Sequence, residues 1–323
     1  ASSAAGEVMV LLPATSQITV LQAAIAQSTN CLSFSYDGQF LAAAGQNGRV
    51  NIWRVQSESA ELVSTLGNGR DWIDRLAWSP TRNQLAFGLG RYAQIWDSAT
   101  QDVVATLNFD SSSVLDLVWH PDGKRLTIAG YQGIKIWTSD DWDDDPYLLQ
   151  LDSASVAVSW SPDGKYIAFG NLDCTLTVLE WENPSPWVMR GFPGKVSHLA
   201  WSSATTKLGV PLLASTSVAG LVIWEKQDDE RVGWEGRVLE QHENVLQAIQ
   251  FQPNTLLLAS AADDGWVCLW NQAKRLAQIL DGAPQGFACL SWHPQGQYLA
   301  AGGQNGELLI WSKVVRGQGF GRR

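Results

Sequence analysis

The chain has 323 residues, of which 45% are hydrophobic and 17% are charged, and this composition predicts a folded chain with a large apolar core rather than a disordered one. Its net charge of −10 argues against nucleic acid as the main partner, because a protein that neutralises phosphates needs a basic surface. No apolar run reaches the roughly 18 residues of a membrane-spanning helix, so we expect no membrane span.

The first predicted strand with a counterpart in a repeating pattern is QITVLQAAI at residues 17–25, after an N-terminal extension at residues 1–16. Beyond it, an apolar segment that ends in Trp or Phe and is followed by a turn occurs seven times. These closing aromatic residues are Phe34, Trp78, Trp119, Trp160, Trp201, Phe251 and Trp292. Their spacing ranges from 41 residues, between Trp78 and Trp119, to 50 residues, between Trp201 and Phe251, which indicates an internal repeat.

Each repeat divides into four short apolar segments separated by turn signals. In the third repeat, VLDLVW, RLTIAG, IKIW and YLLQL are separated by HPDGK, YQG and an acidic loop. Pro-Asp-Gly favours a tight turn because proline fixes φ and glycine supplies a positive φ. A second tryptophan closes the third segment of six repeats, and Leu179 takes this place in the fourth. Seven repeats of four strands predict an all-β, seven-bladed β-propeller.

The repeats resemble those of the WD40 family over essentially the whole chain, with Trp96-Asp97 as the one literal Trp-Asp pair. The resemblance implies a closed propeller that spans residues 17–315. It also implies a structural tetrad in the sixth repeat, which in the family hydrogen-bonds across one blade and holds its loops. The tetrad residues in this sequence are His242, Ser260, Asp264 and Trp270.

The end of the chain lacks a clear outer strand for the seventh blade. After Trp311 the sequence runs SKVVRGQGFGRR, whereas RLAQIL follows the equivalent Trp270 in the sixth repeat. We therefore expect residues 17–25 to complete the seventh blade, because this pairing would remove an open sheet edge. Residues 316–323 are then expected to form a flexible basic tail.

The resemblance implies a non-catalytic scaffold or assembly subunit that binds a partner protein through the narrow face of the propeller. This face consists of the loops before each inner strand and between the second and third strands. A largely neutral, aromatic inventory there favours a protein segment over a phosphate group. Trp72 is the largest anchor, and the alternative is that it packs under its own loop. The expected contact residues are Asn30, Trp72, Asp74, Tyr92, Leu115, Lys195, Gln247 and Trp266.

Six tryptophans fall outside the two repeat positions, and surface aromatics of this kind are candidates for partner contacts. They are Trp72, Trp142, Trp181, Trp187, Trp234 and Trp266. Trp142 lies within the acidic segment at residues 140–145, which we interpret as a solvated loop because it lacks the glycine and the terminal glutamate of a calcium loop.

A small-ligand or zinc-binding propeller is the alternative function. Cys31, His198 and Cys289 all lie three residues before a closing aromatic, and they are weak candidates for metal ligands. We expect no catalytic residue and no cofactor, because no phosphate-binding loop, nucleophile elbow or metal-binding helix appears. We expect a cytoplasmic, monomeric ring within a larger complex, although the missing initiator Met leaves a processed, exported form open.

Overall fold

The structure is a computed structural model that describes residues 1–12, 15, 17–56, 59–67, 69–110, 112–131, 133–183, 185–313 and 320–322. All of its regular elements are β-strands, and the described residues contain no helix. Consequently, no helix in this part of the chain could cross a membrane. The predicted all-β class is confirmed.

The chain forms two compact units, Ala1–Val158 and Ser159–Arg323. The first unit begins with a hairpin of β1 (Val8–Leu12) and β2 (Gln17–Gln22). The first four-stranded sheet consists of β3 (Thr29–Phe34), β4 (Phe40–Gly45), β5 (Val50–Val55) and β6 (Ala60–Leu66). The second consists of β7 (Leu76–Trp78), β8 (Gln84–Leu89), β9 (Tyr92–Asp97) and β10 (Asp102–Asn108). The third consists of β11 (Asp116–Trp119), β12 (Arg125–Gly130), β13 (Gly133–Thr138) and β14 (Tyr147–Gln150).

Four further sheets follow. The fourth consists of β15 (Ser155–Trp160), β16 (Tyr166–Asn171), β17 (Leu176–Glu180) and β18 (Trp187–Met189). The fifth consists of β19 (His198–Thr205), β20 (Pro211–Ser217), β21 (Gly220–Lys226) and β22 (Trp234–Leu239). The sixth consists of β23 (Leu246–Phe251), β24 (Leu258–Ala262), β25 (Val267–Asn271) and β26 (Arg275–Leu280). The seventh consists of β27 (Phe287–Trp292), β28 (Tyr298–Gly303), β29 (Leu308–Lys313) and β30 (Phe320–Arg322).

The inner strands end where the repeat pattern predicts, with one exception. Six of the seven inner strands end at the predicted closing aromatic, and β19 alone continues past Trp201 to Thr205 through an irregular register. The turn after an inner strand is set by local side chains. In the fourth sheet, for example, Asp163 accepts hydrogen bonds from the Ser161 hydroxyl and the Lys165 backbone N–H, while Gly164 takes φ of 71°. Seven four-stranded sheets are therefore present, as the repeat count predicts.

The closing tryptophans also connect neighbouring sheets. The indole N–H of Trp78 donates to the Ser33 carbonyl at 3.0 Å, and that of Trp119 donates to the Ala77 carbonyl at 3.0 Å. In the second unit, Trp201 donates to Ser159 and Trp292 donates to Gln250, each at 3.1 Å. In all four cases the acceptor lies one residue before the closing aromatic of the preceding sheet. The same hydrogen bond therefore recurs between consecutive inner strands.

The assignment of residues 17–25 to the seventh sheet is corrected by the structure. Within this segment, Gln17–Gln22 pairs with Val8–Leu12, and the hairpin packs Val8, Val10 and Leu21 against Leu41, Ala43 and Trp53 of the first sheet. This apolar contact accounts for the separate hairpin. Val8–Leu12, within the N-terminal extension, is the first strand of this hairpin.

The outer strand of the seventh sheet comes from the C-terminal segment instead. Phe320 packs its ring 5.2 Å from that of Trp292, and its backbone N–H donates to the Gln278 side chain at 2.8 Å. These contacts account for an ordered strand at Phe320–Arg322 within a segment that was expected to be a flexible tail. The rest of that tail, residues 316–319 and 323, lies outside the described residues.

Replacing Trp119 with phenylalanine tests the contact between inner strands. Trp119→Phe keeps an aromatic ring but removes the indole N–H that donates to the Ala77 carbonyl. Because Trp119 is only 5% exposed, the smaller ring also leaves a cavity in the core. We expect the free energy of unfolding to fall by about 2 kcal/mol in a denaturant titration. Trp72→Phe, at an exposed site, is the control and should change it by less than about 0.5 kcal/mol. Equal stability of the two variants would contradict the assigned role.

Candidate functional site

The first unit presents a continuous set of loops that contains four of the eight predicted contact residues, Trp72, Asp74, Tyr92 and Leu115. We call this surface the first-unit rim and define it as residues 46–49, 69–75, 90–92, 112–115 and 131. Backbone hydrogen bonds join its loops: Gly69 N–H donates to Gly48, and Val114 N–H donates to Gly90. The Tyr131 N–H donates to the Ser112 hydroxyl at 2.9 Å. The rim is thus one connected surface that crosses the first three sheets.

Trp72 projects from the longest loop of this rim. Its side chain is 60% exposed, and it is the single exposed tryptophan among the seventeen in the chain, all of which the structure describes. The neighbouring Ile73 is fully buried, and its N–H donates to the Gly45 carbonyl at 3.1 Å. Ile73 therefore holds the loop on the core while Trp72 remains in solvent, so Trp72 does not pack under its own loop.

Four other predicted contact residues, Asn30, Asp74, Tyr92 and Leu115, lie on the same unit as Trp72. The Asn30 amide donates to the Asp74 carboxylate at 2.6 Å, which joins the first inner strand to the Trp72 loop. Tyr92 is 46% exposed at the start of β9, and Leu115 is partly buried before β11. Tyr131, on the equivalent turn of the third sheet, is 55% exposed. The rim therefore combines exposed aromatic rings with fixed polar groups.

An ion pair between the rim residue Arg75 and Asp116 was not expected from the sequence. Arg75 Nε lies 3.1 Å from Asp116 Oδ1, and the other oxygen of Asp116 accepts the Val158 N–H at 2.8 Å. Arg75 and Asp116 each lie three residues before a closing aromatic, the position that Cys31 occupies in the first repeat. That shared position was the signal that could have found the pair. Burial raises the pKa of Asp116, against the opposing effect of the Arg75 charge.

The second unit holds the remaining predicted contact residues. Lys195 is exposed, whereas the Gln247 amide donates to both oxygens of Asp263 at 3.0 Å. Trp266 is partly buried and packs against the apolar cluster between the fifth and sixth sheets. Gln247 and Trp266 thus have structural roles within this unit, which leaves Lys195 as the one exposed residue of the three.

The sixth sheet contains a hydrogen-bonded chain of four side chains. The Trp270 indole N–H donates to Ser260 Oγ at 2.9 Å, and Ser260 Oγ lies 2.8 Å from His242 Nε2. His242 Nδ1 lies 2.7 Å from Asp264 Oδ2. With a neutral imidazole, each hydroxyl and N–H donates to the next member and the chain ends on the carboxylate. Asp264 also accepts the backbone N–H of Trp266, so the chain fixes the loop after β24.

The family model for "WD domain, G-beta repeat" matches residues 16–54, 101–138, 149–178, 233–271 and 274–312, which together are more than half of the chain. The chain belongs to the WD40 family. Its seven sheets are therefore WD40 blades, and the four linked side chains of the sixth sheet stand at the tetrad positions that the resemblance implies. No curated protein matches the chain.

The WD40 repeats are offset by one strand from the sheets. The match at residues 233–271 covers β22 to β25, so it joins the outer strand of the fifth sheet to three strands of the sixth. The matches at residues 101–138 and 274–312 likewise join the outer strand of one sheet to three strands of the next. The first match, at residues 16–54, begins with β2, whose partner in the structure is β1.

The other tryptophans outside the repeat positions pack against neighbouring side chains of the same or the adjacent sheet. Trp142 meets the Trp119 ring edge-on at 5.8 Å, and Trp181 meets the Trp160 ring at 5.3 Å. The Lys226 ammonium lies over the Trp187 ring at 5.0 Å, and Trp234 is buried. Among the six candidates, Trp72 is thus the one whose ring is free for a partner to bury.

Each of the three weak metal candidates has local surroundings that can be described separately. The Cys31 thiol donates to the Ile73 carbonyl at 3.3 Å, and burial raises the pKa of this thiol to about 12. A thiol binds zinc as the thiolate, so this environment disfavours a metal ligand. His198 Nδ1 lies 3.0 Å from the Thr216 hydroxyl, and Cys289 is an exposed free thiol. In the part of the chain that the structure describes, no three His, Cys, Asp or Glu side chains are grouped to hold a metal ion.

The hydrogen bonds of the tetrad predict a larger loss of stability for Ser260→Ala than for the equivalent change in the fifth sheet. Ser260→Ala removes the hydroxyl that links His242 to Trp270. His242 Nε2 and Trp270 Nε1 then lose this hydrogen-bond partner in a buried site. We expect the free energy of unfolding to fall by about 2 kcal/mol. Ser215→Ala is the matched variant, because Ser215 Oγ accepts the Trp224 indole N–H in the fifth sheet. Thermal and denaturant unfolding should show a smaller loss for Ser215→Ala, and a larger loss there would contradict the assignment.

The raised pKa of Asp116 predicts how the effect of Asp116→Asn on stability depends on pH. The pKa of Asp116 is raised above the ordinary 3.8, which means that folding favours the protonated carboxyl. This stabilisation is fully present below pH 3.8 and is lost as the pH rises through the raised pKa. Asp116→Asn has no such titration. The stability of the variant relative to the parent should therefore be more favourable at neutral pH than at about pH 4. Paired denaturant titrations at the two pH values measure this difference, with Asp144→Asn in the exposed acidic loop as the control.

Proposed function

We propose that this WD40 chain is a non-catalytic scaffold that holds a partner protein through the first-unit rim, with Trp72 as the principal anchor. WD40 propellers commonly serve as protein-interaction scaffolds, and the family supplies this general role. The proposal for this chain rests mainly on the 60% exposure of Trp72, which contrasts with the packing of every other tryptophan.

The energetic argument concerns the burial of a large aromatic ring. An exposed tryptophan on a fixed loop gains free energy when a partner removes it from water, and it loses little conformational entropy. Ile73 and the bond between Asn30 and Asp74 fix the loop before any partner arrives. A surface that is already ordered reduces the entropic cost of association. These features support Trp72 as a binding hot spot.

The extent of the rim supports a protein partner rather than a small molecule. Tyr92 and Tyr131 continue the exposed aromatic surface onto the second and third sheets. A cavity with a volume of about 510 Å³ is lined by Tyr131 together with Phe109, Lys135 and residues 148–152. It is an open groove at the side of the third sheet, and it extends the rim as a surface for an interacting chain.

Substitution of the anchor tests the proposal. Affinity capture from native extract with the parent chain should retain a partner that Trp72→Ala, alone or combined with Asp74→Lys, fails to retain. A hot-spot residue contributes at least about 2 kcal/mol, so the dissociation constant should rise by about 30-fold or more. Circular dichroism and the melting temperature of Trp72→Ala should match those of the parent, because this side chain is exposed and the Asn30–Asp74 bond is kept.

Tyr36→Ala is the matched control for this experiment. Tyr36 is 55% exposed but lies on the turn between β3 and β4, outside the first-unit rim. Its removal takes away a comparable aromatic area and should leave capture unchanged. Full retention of the partner by Trp72→Ala would exclude the rim as the binding surface.

A further inference from the structure

We infer that the first-unit rim binds an extended acidic peptide segment, whose Asp or Glu side chains pair with Arg49 and Arg91 while an apolar side chain packs on Trp72. This inference rests on the proposed function, because it specifies the chemistry of the partner at the same surface.

Arg49 and Arg91 are the cationic groups that the rim leaves available. Both residues are exposed, and neither guanidinium makes a hydrogen bond or ion pair with a residue that the structure describes. Their recorded contacts involve the backbone only: Arg49 N–H donates to Asn47, and the Arg91 carbonyl accepts the Phe109 N–H. Arg75, by comparison, is already paired with Asp116. The two free guanidinium groups can therefore meet carboxylates without breaking an existing contact.

Both arginines stand beside the Trp72 loop. A Cβ added to Gly48 would lie 2.8 Å from the backbone N of Arg70, so the turn that carries Arg49 packs directly on this loop. A Cβ added to Gly90 would lie 3.6 Å from Cγ of Asp71, which places the turn of Arg91 against the same loop. Arg49 and Arg91 thus approach the loop from the first and the second sheet.

The local charge balance differs from that of the whole chain. Residues 70–75 carry two arginines and two aspartates, and one of those aspartates, Asp74, is already engaged by Asn30. Arg49 and Arg91 add two positive charges to this balanced loop, within a chain whose net charge is −10. Exposed charges act over a Debye length of about 8 Å in physiological salt, so a ligand at Trp72 responds to this local excess. Charge complementarity therefore favours an acidic segment over a basic one.

The arrangement of exposed rings favours an extended segment. Trp72 lies on the loop that approaches Gly90, Tyr92 stands at the start of β9, and Tyr131 lies on a turn of the third sheet. The Gly90–Val114 and Ser112–Tyr131 hydrogen bonds connect the turn before Tyr92 to the turn of Tyr131. A linear peptide can place alternate side chains on such a row and its acidic groups on the flanking arginines. Guanidinium–carboxylate pairs would then fix the register of the peptide.

Selection from a displayed library of random peptides, about twelve residues long, tests this chemistry on the whole chain. Peptides that bind the parent but not Trp72→Ala should be enriched in Asp and Glu relative to Lys and Arg. Synthetic versions of these peptides should bind the double variant Arg49→Glu/Arg91→Glu at least about tenfold more weakly than the parent. Their affinity for the parent should also fall as salt is raised, because exposed charge pairs are screened.

Lys124→Glu/Lys207→Glu is the matched control. Both lysines are exposed, both lie outside the rim, and the double variant changes the net charge by the same amount. It should bind the selected peptides within about twofold of the parent. A comparable loss with this control would mean that net charge, rather than the rim, governs binding, and would overturn the inference.

The remaining outcomes separate this inference from the proposed function. Trp72-dependent peptides that show no acidic excess, or that bind Arg49→Glu/Arg91→Glu as well as the parent, would overturn the acidic specificity and leave the scaffold role intact. A selection that yields no Trp72-dependent peptide would overturn the inference, while protein capture by the parent chain but not by Trp72→Ala would still support the scaffold.

Discussion

The hydrogen bond from a closing tryptophan to the inner strand before it is the contact on which the packing of neighbouring sheets depends. Apolar side-chain packing between two stacked sheets is strong in sum but weakly directional. The indole N–H of Trp78 or Trp119 crosses this apolar layer and ends on a defined carbonyl. It therefore fixes how far one sheet can slide along the next, and it does so at the inner strands.

The sheets differ in the polar contacts that their aromatic residues make. The Phe251 ring has no N–H to donate, and its sheet instead carries the chain of Trp270, Ser260 and His242, which fixes the loop after β24. The fifth sheet keeps a fragment of that chain in the bond from Trp224 to Ser215. In the second sheet, the indole N–H of Trp96 is buried without a partner among the described residues. Polar contacts are thus distributed unevenly over sheets that have the same strand pairing.

The strand pattern was predictable because it is local. Closing aromatics and Pro-Asp-Gly turns define the inner strands, and β19 overran its predicted end at Trp201, where Ser-Ser-Ala-Thr replaces such a turn. The last strand was not predictable, because Phe320 is held by Trp292 and Gln278, which are distant in sequence. The phase of the repeat also could not separate Trp72 from Trp142. Both lie in loops, and exposure depends on whether a ring such as that of Trp119 is within reach.

The offset between WD40 repeat and sheet has a consequence for how the chain can change its length. Removal of residues 101–138 would delete the outer strand of the second sheet together with three strands of the third. The three strands that remain in the second sheet would then be followed directly by β14, which can serve as a new fourth strand. A duplication would likewise insert one complete sheet and leave no strand unpaired. Repeat number can therefore drift in such a chain without passing through an intermediate that exposes an incomplete sheet.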